Sequence, residues 1–236
     1  MKHLYKKSEL TFSLVLVGLY VALFSIADNL SRSIGIEKIL TAPLSVLFVA
    51  VLYVWIHKNG LLKKYGLCAF DGKAKDYFHF IPLFVIGSCN LWNGVQLNCS
   101  PMETALYVLS MLCVGFIEEL IFRGFLFKAM AKDGIKSAII VSSITFGLGH
   151  IINLVNGAEL LPTFLQIIYA TAIGFLFTML FHKGKCLWPC IITHSVVNSL
   201  SVIGVEGTTT EKIISAVILT AVSLGYIALI YKNKKE

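Results

Sequence analysis

The chain has 236 residues, 57% of them apolar and only 14% charged, with a net charge of +7 and a mean hydropathy of +0.81. Soluble domains carry about 25% charged residues, so this composition excludes an ordinary water-soluble enzyme or binding domain. It also lacks the interleaved aromatic and basic surface of a nucleic-acid binder, so the excess positive charge needs another explanation.

A helix needs about 20 apolar residues to cross a bilayer. In chain order the segments near that length are Leu10–Ala27, Ile39–Ile56, Tyr77–Trp92, Glu103–Phe127, Lys136–Val155, Leu160–Phe181, Leu187–Val205 and Ile213–Tyr231. The fold class expected is therefore all-α, a polytopic membrane bundle of about eight transmembrane helices in one integral domain, residues 1–236. The third segment is the weakest, being short and carrying Pro82 and Asn90, and a re-entrant path is the alternative for it. The first resembles a secretory signal ending Ser25-Ile26-Ala27, but its apolar run exceeds a signal core and seven more segments follow, so a retained helix is expected. Turn pairs such as Asn59-Gly60, Asp71-Gly72, Asp133-Gly134 and Asn156-Gly157 punctuate the chain and force antiparallel neighbours.

Charge placement gives an independent check. Lys2, Lys6 and Lys7, the run from Lys58 to Lys75, then Lys128, Lys132, Lys136, Lys183, Lys185, Lys232, Lys234 and Lys235 all fall in one set of alternating loops and ends. The other set holds only Arg32, Lys38 and Lys212. The positive-inside rule then places both termini in the cytoplasm and assigns most of the net charge to topology and anionic lipid. His3, His57 and His182 fall at cytoplasmic ends and His79 one turn inside the third segment, which reads as interfacial. Cys68, Cys89, Cys99, Cys113, Cys186 and Cys190 show no paired metal-ligand spacing; Cys89 and Cys99 flank one outer loop, and small apolar packing is the expected role of the set.

The fourth segment alone carries charges at depth, Glu118, Glu119 and Arg123 in GFIEELIFRGFLF. Each costs ~2.5–3.5 kcal/mol at bilayer depth, so it persists where it pairs or does chemistry. Glu119 and Arg123 are i and i+4 neighbours in the favourable order and form a candidate ion pair. Glu118 projects about 100° away without a partner from its own helix, which suits a general base. The fifth segment carries Phe146-Gly147-Leu148-Gly149-His150, with Phe146 and His150 on one face and both glycines expected to admit another backbone. The seventh carries His194 and Asn198, again i and i+4, a pair able to hold a metal, donate to an oxyanion or bridge helices. At 1.5 Å per residue, Glu118 lies ~20 Å from the outer end of its segment, His150 ~20 Å and Asn198 ~16 Å from the inner ends of theirs, so the three share one layer. The first three segments and the eighth read as lipid-facing scaffold.

The series EELIFRG, FGLGH and HSVVN resembles the motifs of the CPBP family of intramembrane proteases (CAAX proteases and bacteriocin-processing or Abi proteins), over about Pro101 to Ile203. Each motif is weak singly; three in order on three segments form a specific signal. The resemblance implies an eight-helix membrane endopeptidase whose catalytic core, residues 101–203, hydrolyses a peptide bond within the bilayer. Carried over by position, Glu118 polarises the attacking water with help from His150, His194 and Asn198 stabilise the tetrahedral oxyanion, and Glu119 and Arg123 support them. The resemblance leaves a metal open: His150, His194 and Glu118 or Glu119 would ligate a divalent ion such as zinc, although no His-Glu-x-x-His is present. The implied partners are a membrane-associated or lipid-modified peptide or protein substrate and membrane lipids, in a bacterial cytoplasmic membrane. Two other readings remain beside it, a non-enzymatic bacteriocin immunity or scaffold protein and a small transporter using the same polar layer. Neither the scissile sequence nor the oligomeric state can be read from the chain.

Overall fold

A computed structural model describes residues 1–69 and 81–232. The described residues are helical throughout, apart from connecting loops and one isolated antiparallel bridge between Val95 and Gly204. The helices are α1 (Lys2–Lys7), α2 (Glu9–Ile34), α3 (Thr41–Lys58), α4 (Ile81–Gly87), α5 (Pro101–Glu119), α6 (Lys128–Met130), α7 (Ile135–Gly149), α8 (Ile152–Val155), α9 (Leu160–Gly184), α10 (Trp188–Leu200) and α11 (Thr209–Lys232). A π-helical stretch, Leu120–Phe127, joins α5 to α6, so Pro101–Met130 runs as one rod.

Local chemistry sets the helix starts. Ser100 and Glu103 form a reciprocal capping box at α5, with Pro101 in the first turn where its missing N–H costs nothing. Thr208 and Glu211 do the same for α11. Ser8 caps α2 through the Thr11 amide, and Gly35, at φ 81°, ends it in the left-handed conformation.

Among the described residues, six helices are long and apolar enough to cross a membrane: Glu9–Ile34, Thr41–Lys58, Pro101–Met130, Ile135–Val155, Leu160–Gly184 and Thr209–Lys232. The chain is thus an integral, multi-pass membrane protein. The two segments absent from that set are the third and the seventh. The start of the third, including His79, lies outside the described residues, as do the preceding Asp71-Gly72 turn, Lys73 and Lys75, and Lys234 and Lys235. Its remainder is α4 and a 3-10 turn at Cys89–Leu91. The seventh forms α10, 13 residues and so about 20 Å of helix against a hydrocarbon core of about 30 Å. Its amino end is tied by Leu187 N–H to Gly66 C=O (2.8 Å), and the loop after it reaches the opposite end, where Val95 pairs with Gly204. Helix plus loop therefore traverses the bundle.

Small residues let the central helices approach closely, as expected where lipid removes the hydrophobic drive. A Cβ at Gly115 of α5 would strike the Ser195 hydroxyl and backbone of α10. Ser195 Oγ donates to Leu112 C=O (3.0 Å) and Ser199 Oγ to Val108 C=O (3.5 Å), fixing an antiparallel register between the two. Gly147 of α7 meets Thr171 of α9, and Gly174 of α9 meets Ser143 of α7. Gly149 meets nothing within 4 Å, so of the two glycines expected to admit a backbone only Gly147 does.

The scaffold reading of the first segment also needs correction. Phe12, Leu16, Phe24, Ala27 and Ser31 form a buried face along α2, while Leu14, Leu19, Leu23, Ile26 and Leu30 face outward. Helical periodicity was hidden because both faces of a membrane helix are apolar.

Candidate active site

Glu118 and Glu119 lie at the point where α5 gives way to the π-helical stretch, a distortion that recurs at functional sites because it re-aims side chains within a continuous helix. The two carboxylates serve different purposes. Glu119 is fully buried: its Oε1 accepts from Arg123 Nη1 (2.9 Å) and bonds His194 Nδ1 (2.8 Å). The expected ion pair is therefore present, and it reaches across to α10. Arg123, also fully buried, lays its guanidinium 4.0 Å above the Phe146 ring and 5.6 Å from that of Phe177.

Glu118 faces a hollow of about 360 Å³. Its Oε1 accepts a hydrogen bond from the Tyr20 hydroxyl of α2 (2.5 Å), and its Oε2 lies 3.7 Å from His194 Nε2. One imidazole is thus held between two carboxylates, Nδ1 by Glu119 and Nε2 toward Glu118. Such an arrangement fixes ring orientation, and in the imidazolium form both nitrogens donate.

His150 caps the end of α7, where the chain breaks before α8, so the fifth segment is interrupted at its histidine. Its ring meets Phe146 edge-on (5.4 Å), and Phe146 also meets the His194 ring (5.6 Å). The shared face expected for Phe146 and His150 is present, and the Phe146 ring touches both imidazoles. His150, His194 and Asn198 line the same hollow as Glu118. Among the described residues no hydrogen-bond partner engages the His150 ring or the Asn198 carboxamide, leaving both available to a bound molecule. All four candidate catalytic residues are brought together, with Glu119 and Arg123 behind them.

No group of three His, Cys, Asp or Glu side chains is placed to hold a metal ion among the described residues. The sequence had offered His150, His194 and Glu118 or Glu119 as such a set; here His194 Nδ1 is engaged by Glu119. All six cysteines are free.

Tyr20 is the site residue that sequence reasoning missed. Its signal was a hydroxyl in the middle of an otherwise apolar segment, away from the interfacial belts where tyrosine gathers. Asn90, noted only as a flaw in the third segment, also lines the hollow and donates to Val197 C=O (2.7 Å).

Residues 100–200 match the family model described as type II CAAX prenyl endopeptidase Rce1-like. This stretch is similar to an Rce1-like CAAX protease core. The match spans α5 to α10 and so contains Glu118, Glu119, Arg123, His150, His194 and Asn198, while Tyr20 lies outside it. No curated protein matches the chain. That similarity makes a protease activity the general expectation for the matched region.

Proposed function

We propose that this protein is an intramembrane endopeptidase that hydrolyses a peptide bond of a membrane-associated peptide with water activated by Glu118. The observation that carries the reading is the single hollow lined by Glu118, His150, His194 and Asn198, four polar side chains from three elements in a chain otherwise built from apolar residues. Glu118 removes a proton from water as the oxygen attacks the scissile carbonyl carbon, and His150 steadies that water. Oxyanion charge develops toward donors on α10, the Asn198 carboxamide and Nε2–H of the His194 imidazolium. The proton held by Glu118 then passes to the departing nitrogen as the C–N bond breaks. Tyr20 orients the base, and Glu119 with Arg123 holds His194.

A bound divalent ion such as zinc would polarise the same carbonyl, but the described side chains are not arranged as its ligands, and no step above requires one. The substrate class is a membrane-anchored or lipid-modified peptide, and the membrane is that of a bacterial cell, with the termini on its cytoplasmic side.

The test uses purified protein and a library of membrane-anchored peptides. Cleavage is expected, with Glu118→Gln lowering turnover by a factor of about 10³ or more while folding is retained. Undiminished turnover in that variant would reject Glu118 as the base.

A further inference from the structure

The hollow extends from Glu118 in one direction only. On α5 its walls are Val114, Met111 and Tyr107, all preceding Glu118, with Phe122 alone beyond it. On α2 they run from Tyr20 to Asp28, and on α10 from His194 to Ser201. All three lines lead to the end of the bundle where α2 finishes and α5 starts. There the hollow meets a second, larger basin of about 500 Å³, with which it shares Cys89, Asn90, Gln166, Tyr169 and Ser201.

The opposite direction is closed. Behind Glu118 lie the buried Glu119–Arg123 pair and the fully packed Leu120, Ile121 and Phe125. Beyond them Phe12 stacks on Trp55 (5.2 Å), and Phe125 meets Tyr65 (4.6 Å). Lys64 and Lys132 close that end on Glu9, each at 2.8 Å.

The two ends differ in charge. The closed end carries Lys64, Lys128, Lys132 and Lys185, whereas the open end has only Arg32, Lys38 and Lys212 as cations. Against these three stand Asp28, Glu37, Glu103, Glu159, Glu206 and Glu211. Asp28 pairs with Lys38 (2.9 Å) and Glu206 with Lys212 (2.5 Å). The basin's walls include the amides and hydroxyl of Asn93, Gln96, Asn98 and Ser215, beside the Glu206–Lys212 pair and apolar residues such as Leu165 and Leu219.

We infer that the active site receives its substrate from the lysine-poor end, which the positive-inside rule places away from the cytoplasm, and that the substrate is a polar, non-acidic peptide segment exposed on that face. Three features support this. Among the described residues, the walls leading away from Glu118 point there. Neutral amide donors and acceptors suit peptide backbone better than a lipid chain, which offers them no partner. An acidic surplus at the rim opposes an acidic segment and favours a neutral or basic one. The inference rests on the endopeptidase reading and narrows it, from any membrane-associated peptide to one presented on the outer side.

The test reconstitutes the full chain with a C-terminal affinity tag into liposomes and separates vesicles by whether the tag is outside or enclosed. A membrane-anchored peptide with a neutral fluorogenic segment is then added outside. Vesicles with the tag enclosed, and so the lysine-poor end outward, should cleave it at least about tenfold faster than the other set, since a bilayer bars a polar segment from the far side. Equal rates, or the reverse preference, would overturn the inference. Detergent-solubilised protein should cleave regardless of orientation, and Glu118→Gln should not; no cleavage even in detergent would reject the endopeptidase reading itself, a different failure. In the same assay Gln96→Trp, at an exposed position, should raise KM about fivefold with kcat unchanged, the equivalent of one lost hydrogen bond. An unchanged KM in both Gln96→Trp and Ser215→Phe would remove the basin from the substrate path.

Discussion

Two adjacent glutamates with opposite surroundings lie at the centre of the proposed site. Glu119 engages Arg123 and His194 through one oxygen, so its value is structural: Glu119→Gln should leave a buried guanidinium unpaired and cost about 3–5 kcal/mol, read as a lowered thermal midpoint in detergent. Glu118 keeps one oxygen for the hollow. Its Tyr20 partner is expected to affect the chemical step: Tyr20→Phe should lower kcat roughly tenfold, the worth of a hydrogen bond to a charged group, with KM nearly unchanged. Unaltered kcat would show that the bond to Glu118 has no part in turnover. The residues behind the three motifs were legible in sequence because i and i+4 spacing is local. Tyr20 was not, because it lies 98 positions from its partner.

Among the elements, the contact of α5 with α10 decides whether His194 can reach both glutamates. Gly115 is the point of closest approach, and a side chain there meets Ser195 backbone, which cannot swing aside. Gly115→Val should push the helices apart and abolish cleavage even where the protein still inserts, measured as turnover per folded molecule. At the lysine-rich end, Lys64 ties the turn after α3 to α2. Burial disfavours its charge, but bonds to Glu9 and Tyr5 outweigh that and raise its pKa above the usual 10.5. A raised pKa means this contribution is complete below the unfolded value and is lost as pH climbs through the folded one. Lys64→Met should therefore lower the thermal midpoint at pH 7 and make progressively less difference as pH climbs through the raised pKa. The seventh segment shows where element-level reading fell short: apolar composition continues past Leu200, but the helix does not, because Gly204 must approach the Asn90 backbone.

For the whole molecule, the first helix belongs to the catalytic unit although the Rce1-like match begins at residue 100. Cleavage after Ala27 would remove Tyr20 together with Phe12, whose ring packs on Trp55 and Phe125. Protein truncated to residue 28 onward should thus be inactive, with co-expressed residues 1–27 restoring turnover if the two pieces assemble. The sequence alone determined that this is a helical membrane protein and which residues of α5, α7 and α10 share a polar layer, since hydropathy and helical periodicity are properties of neighbouring residues. Only the tertiary structure decided that α2 joins the site, that Phe146 touches both imidazoles, and that the hollow, among the described residues, runs away from the lysines toward the other end. Those outcomes depend on how separate helices pack and where loops return, and in a uniformly apolar chain each helix has several faces that could be buried equally well.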